Sequence, residues 1–275
     1  MKISPLSRDR HVLYELSVQS VDYDLDCFER IYRTLRGGRF RLLREDFCGT
    51  AAGACAWVAR RRENRAWGVD LAARTLAWGR RHHVEPLGEA GRRVVLVRGD
   101  VRTPRRPRVD VVAAMNFSFW VFKRRDMLRD YFRQVRRSLR PGGLFFANMF
   151  GGTESMDAMI ESRRIPTTQG PDGLRVPSFT YDWEQKRFDP ISHDLLCYIH
   201  YRFRDGTGIR RAFAYDWRFW SLPEIREVME EAGFASSEVY LEGWDEKHNR
   251  SDEIYRRRVS FENQLGWIAL VVGLA

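Results

Sequence analysis

Five short apolar runs recur between Phe40 and Phe150, "FRLLRED", "RAWGVD", "RRVVLVRGD", "VDVVAAMNF" and "GGLFFANMF", with helical stretches between them. This rhythm constrains the chain more than any other feature. Strands that alternate with helices build βαβ units, a parallel sheet with helices on both faces. The clearest helix is "RRDMLRDYFRQVRRSL", in which Met127, Leu128, Tyr131, Phe132, Val135 and Leu139 fall in register on one side. Ahead of the first strand, "DLDCFERIYRTLR" places Leu25, Phe28, Ile31, Tyr32 and Leu35 on one helical face and stops at Gly37-Gly38.

The rhythm breaks after "RPGGLFFANMFGG". There "SFTYDWEQKRF", "DLLCYIHYRF" and "IRRAFAYDWRFW" read as antiparallel strands, turning at Asp189-Pro190 and Asp205-Gly206. Alternation puts Phe179, Tyr181 and Trp183, then Ile199, Tyr201 and Phe203, then Phe213, Tyr215 and Trp217 on one face of each strand. Helical rhythm resumes at "SLPEIREVMEEAGF", opened by a capping box of Ser221 and Glu224. The strands "SSEVYLEG" and "WIALVVG" follow, separated by a polar stretch, "WDEKHNRSDEIYRRRVSFEN", expected to be a loop. The expected organisation is an N-terminal helical cap over 1–39, an α/β domain over 40–150 and 221–275, and an antiparallel insertion over 151–220.

With 44% hydrophobic and 31% charged residues, the composition is that of a soluble globular protein. No window approaches about 18 uninterrupted apolar residues, so no membrane segment is expected and a cytoplasmic protein is. Cys27, Cys48, Cys55 and Cys197 form no C-x-x-C pair, which suggests neither a metal site nor a disulfide framework. The net charge of +10 raises nucleic acid as a partner. Lysine occurs only at positions 2, 123, 186 and 247, however, and the many arginines are scattered, as codon bias would leave them on solvated faces. No nucleic-acid partner is expected, and either a monomer or a homodimer is compatible with the sequence.

"REDFCGTAAGACAWV", residues 44 to 58, lies where the first strand meets the first helix, the crevice at which open α/β sheets bind ligands. Gly49 permits a tight turn, and Thr50, Ala51, Ala52 and Gly53 let the backbone approach a ligand closely. Three acids end three strands: Glu45, Asp70 and Asp100. The G-x-G-x-x-G of dinucleotide sites is missing, and three carboxylates repel a pyrophosphate. A ligand with positive charges suits them better. Asp70 can accept both hydroxyls of a ribose, and Asp100 can meet an adenine amino group.

In this order the elements resemble the class I S-adenosylmethionine-dependent methyltransferases, over residues 40 to 150 and 221 to 273. "EDFCGTA" matches the family's acid-x-G-x-G-x-G motif with Glu45 as the acid and Gly49 as the central glycine, but Phe47 and Ala51 stand where glycines are usual. The resemblance implies a parallel Rossmann-like sheet with a reversed last strand and an antiparallel β insertion after strand five. It also implies S-adenosylmethionine held by Glu45, Phe47, Cys48, Gly49, Asp70, Leu71, Asp100, Val101 and Asn116. The implied activity is methyl transfer to an N, O or C atom of a small-molecule acceptor. The insertion would roof the acceptor with Tyr181 and Trp183, while Tyr14, Gln19 and Phe117 would approach it from elsewhere. "MNFSF" keeps the ends of the tetrad found in amine methyltransferases, Asn116 and Phe119, and lacks its prolines. His11, His193 and His200 are the candidates for a base, no catalytic residue is singled out, and no metal is implied. Two alternatives remain open: RNA or protein as substrate, and a catalytically silent cofactor-binding module.

Overall fold

A computed structural model describes residues 2–104, 106–245 and 250–275, with backbone alone for 244–245 and 250–253. Its first half contains α1 (Arg10–Val18), α2 (Val21–Arg36), β1 (Leu42–Asp46), α3 (Ala52–Arg60), β2 (Arg65–Asp70), α4 (Ala73–Gly79), β3 (Val94–Arg98), β4 (Val109–Ala114) and α5 (Arg125–Ser138). Next come β5 (Leu139–Gly151), β6 (Met159–Ile165), β7 (Thr168–Gln169), β8 (Arg175–Val176), β9 (Phe179–Phe188), β10 (Asp194–Phe203) and β11 (Gly208–Arg218). The chain finishes with α6 (Leu222–Glu231), β12 (Ser236–Asp245), β13 (Arg250–Arg258) and β14 (Trp267–Leu274). These elements form two compact units, residues 1–20 with 156–220 and residues 21–155 with 221–275.

The larger unit is an eight-stranded sheet in the order β13-β12-β14-β5-β4-β1-β2-β3. Strands β1 to β5 are mutually parallel, and β14 runs antiparallel between β5 and β12. Its core follows from the periodicities that predicted the elements. Phe28 of α2 stacks on Phe146 of β5 at 4.4 Å, and Trp57 of α3 stacks on Phe40 at 4.1 Å while its indole N–H donates to the Arg41 carbonyl. Each such ring buried contributes about 1.5–3 kcal/mol. Gly37 takes a φ of +71° where α2 stops, and the Ser221 and Glu224 capping box opens α6. The polar stretch expected as a loop is different: β12 continues to Asp245 and β13 pairs antiparallel with it. Of that stretch, Glu246 to Asn249 lie outside the described residues.

The smaller unit is a four-stranded antiparallel sheet, β11-β10-β9-β6, with the short pair β7-β8. Asp189 and Asp205 make its turns by accepting backbone N–H groups of Ile191 and Thr207. Strand β6 was not foreseen; "MIESRRI" is an edge strand exposed over most of its length, so it carries no apolar alternation. The N-terminal segment is not one helical cap. Helix α1 belongs with the inserted sheet and α2 with the larger unit.

Candidate functional site

In the turn after β1, Phe47, Gly49 and Ala51 have φ of +56°, +54° and +60°. The two residues that depart from the motif thus keep the left-handed backbone that glycine would supply, at a cost of about 1–2 kcal/mol each. Neighbouring groups hold the turn in place. Cys48 N–H donates to the Val69 carbonyl at 3.1 Å, Ala51 N–H to the Cys48 carbonyl at 2.7 Å, and Gly49 N–H to Asp70 Oδ2 at 2.8 Å. The Phe47 ring packs against Tyr131 at 5.5 Å and Phe122 at 5.9 Å. Tyr131 O–H donates to Asp46 Oδ2 at 3.0 Å, and Asp46 pairs with buried Arg44 at 2.8 Å. Helix α4 comes so close that a Cβ on Gly79 would lie 2.1 Å from the Thr50 carbonyl oxygen.

Around this turn the larger unit gathers carboxylates. Glu45 Oε2 accepts the Ala54 N–H at 2.8 Å, and Gly53 leaves room for it, since a Cβ there would sit 2.9 Å from Oε1. Burial pushes the Glu45 carboxyl up to about 8 against that hydrogen bond, and the charges of Asp24, Asp70 and Asp46 add to the rise. Asp24 of α2 is itself pushed up to about 7 by burial and by Glu242. Sequence reasoning missed Asp24, because a carboxylate in the first turn of a helix reads as an ordinary dipole partner. Negative charge crowded this way favours a cation.

The remaining residues expected at the cofactor line the same carboxyl ends of the parallel strands. Asp70 Oδ1 accepts the Ala72 N–H at 2.8 Å, beside Leu71, which is 68% exposed. Asp100 is engaged by Arg102, and Val101 is buried. Cys48 is buried too, its thiol held well above the usual range by desolvation and nearby carboxylates. Beyond β4, Asn116 and Phe117 both have positive φ, and the Phe117 N–H donates to Asn148 Oδ1 at 3.2 Å. A tight turn therefore forms without the tetrad's prolines. Among the described residues no group of His, Cys, Asp and Glu suits a metal ion.

In the inserted unit the register puts Phe179, Tyr181 and Trp183 on the same face as Ile199, Tyr201, Phe213, Tyr215 and Trp217. Helix α1 lies on this face, with the Tyr14 ring 4.8 Å from Phe213, Ser17 3.4 Å from the Tyr201 hydroxyl and Arg163 donating to the Ser17 carbonyl. Tyr14, pushed up to about 12 by burial, Tyr181 and Trp183 are thus brought together. Gln19 follows α1, its Oε1 buried and without a hydrogen-bond partner. His200 pairs in register with Asp182, so it projects from the opposite face and meets Glu184 at 2.9 Å. His11 lies edge-on to Phe213, and His193 sits in the turn before β10.

Residues 46–147 match the family model described as a methyltransferase domain. Over that stretch the chain is similar to a methyltransferase domain. No curated protein matches the sequence. Solved structures match it over both units at low identity, and the fold is that of class I methyltransferases. One is CalS10 of Micromonospora echinaspora with S-adenosylmethionine bound, described as an amino pentose methyltransferase of calicheamicin biosynthesis. It is 16% identical with a TM-score of 0.66, over 96% of this chain and 95% of that one. Another is DesVI of Streptomyces venezuelae, 16% identical with a TM-score of 0.66 over 99% of both chains. A third is KedS8 of a Streptoalloteichus species, a sugar N-methyltransferase, 17% identical with a TM-score of 0.63, over 100% of this chain and 95% of that one. No helix among the described residues of this chain is long and apolar enough to cross a membrane.

Proposed function

We propose that this chain is an S-adenosylmethionine-dependent methyltransferase that acts on the amine of a small, sugar-like molecule. The observation that carries the reading is the end-to-end match, which takes in the inserted antiparallel unit as well as the cofactor fold; CalS10 and KedS8 are described as acting on sugars of this kind. In this reading Glu45, Phe47, Cys48, Gly49, Asp70, Leu71, Asp100, Val101 and Asn116 hold the cofactor. Asp70 takes the ribose, Asp100 and Val101 take the adenine, and the carboxylates around Glu45 offset the sulfonium and ammonium charges. Tyr14, Gln19, Phe117, Tyr181 and Trp183 belong to the acceptor. Transfer is an in-line displacement at an already activated methyl, so positioning supplies most of the rate and no strong base is required. The protein acts in the cytoplasm, as a monomer or homodimer, without nucleic acid.

The test is S-adenosylhomocysteine release with a panel of amino sugars and the matching sugars that carry a hydroxyl in place of the amine. Turnover confined to the amines supports the reading. Turnover confined to hydroxyls, RNA or protein overturns it, and cofactor binding without turnover on any acceptor favours a silent module.

A further inference from the structure

Arg102, two residues beyond Asp100, has no place in the motifs, yet it is bound into the cofactor end of the larger unit at several points. Its Nε lies 3.1 Å from both oxygens of Asp100, its Nη2 lies 2.6 Å from Oδ2, and its backbone N–H donates to Oδ1 at 2.8 Å. The guanidinium rests 5.3 Å from the centre of the Phe122 ring. Phe122 packs against Tyr131 at 5.1 Å and against Phe47 at 5.9 Å. Contacts therefore run unbroken from the buried Arg44 and Asp46 pair, through the ring that replaces a motif glycine, to the carboxylate at the tip of β3.

Stability does not account for this arrangement. Both side chains of the pair are about a third exposed, where an ion pair contributes about 1 kcal/mol at most. What the fork supplies is orientation. A planar guanidinium meeting both oxygens fixes the plane of a carboxylate, which a lysine ammonium cannot do, and the ring beneath fixes the guanidinium. We propose that Arg102 is a positioning residue for the cofactor: held over Phe122, it fixes the Asp100 carboxylate in the one orientation that recognises the exocyclic amine of adenine. The inference rests on the place given to Asp100 under the proposed function. Its consequence is selectivity. Hypoxanthine presents a carbonyl oxygen where adenine presents the amine, and a carboxylate that cannot swing aside repels it.

Calorimetric titration of the full chain with S-adenosylhomocysteine and with S-inosylhomocysteine tests this. Arg102→Ala is expected to weaken the adenine compound about five- to tenfold and the hypoxanthine compound little, so that discrimination between them falls by about the same factor. Arg102→Lys keeps the charge without the fork and should lose discrimination as well. Unchanged discrimination in both variants overturns the proposal. So does an equal loss for both compounds, which is what a merely structural arginine would give. A wild-type protein that binds neither compound overturns the proposed function itself, and the role of Arg102 with it.

Discussion

The two units are built around opposite kinds of surface. At the strand tips of the larger unit, carboxylates are set by backbone N–H groups: Glu45 by Ala54, Asp70 by Gly49 and Ala72, Asp100 by Arg102. The face of the inserted sheet is built instead from rings packed on rings, with Tyr215 4.4 Å from Trp217 and Trp183 5.9 Å from Tyr215. Carboxylates fixed by main chain select charge and hydrogen-bond pattern, whereas an aromatic face selects shape and tolerates variation. In the proposed reading the first kind of surface takes the cofactor and the second the acceptor.

Backbone crowding gives the largest test of that contrast. Gly79→Ala drives a methyl into the Thr50 carbonyl and should cost about 3 kcal/mol, seen as a lowered Tm together with weakened cofactor binding. Gly208→Ala meets the Tyr201 carbonyl at 2.5 Å in the inserted sheet; it should lower Tm and leave cofactor affinity near wild type. If both variants lose the cofactor equally, the division of labour is wrong.

Removing one carboxylate comes next. Asp70→Ala should weaken S-adenosylmethionine by about 1–3 kcal/mol, since a charged acceptor is lost and the Gly49 N–H loses its anchor. Unchanged affinity by calorimetry would remove Asp70 from the site.

The pH dependence of binding has a defined sign. Glu45 is raised from 4.5 to about 8, so the folded protein holds a proton that the unfolded chain has released across that window, and stability falls as pH rises through it. A cationic ligand favours the ionised form. Cofactor affinity should therefore climb with pH, by at most about tenfold per unit, and level off above about 8. Glu45→Gln should flatten the slope relative to wild type in the same buffers, a comparison that cancels the cofactor's own titration; an unaltered slope places the proton elsewhere.

Smaller effects are expected on the aromatic side. Tyr181→Ala and Trp183→Ala should each reduce kcat/KM for the acceptor by about 0.5–1.5 kcal/mol beyond the area lost, with cofactor affinity within a few-fold of wild type. A sharp fall in Tm with loss of cofactor binding would make these rings core. The smallest effect should come from nucleic acid, with random RNA held no tighter than the roughly 10⁻⁴ to 10⁻⁶ M of a generic basic surface at physiological salt; nanomolar retention on a filter would contradict it.

Periodicity carried most of the fold, because burying one face of a helix or strand leaves a mark in the spacing of apolar residues. It marked β1 to β5, α2, α5 and the three aromatic strands. It failed at β6 and β13, edge strands with mostly polar residues, whose pairing depends on a neighbour and leaves little trace of its own. The acids at the strand tips were legible as residues with a position. Asp24 and Arg102 were not, since their importance comes from groups distant in sequence or from an arginine hidden among many. Discounting the arginines as solvated faces concealed both Arg102 and the buried Arg44.

Because α1 belongs with the inserted sheet, the smaller unit is assembled from two separate lengths of chain, 1–20 and 156–220. It is therefore not a portable cassette. Transplanting 156–220 alone into a related enzyme would carry the aromatic face without the helix that Arg163 ties to it through the Ser17 carbonyl, leaving Phe213 and Tyr201 bare to solvent or to a foreign helix. Moving the whole unit between related chains, in the laboratory or by recombination, requires two coordinated cuts, and a chimera should carry both segments from one parent.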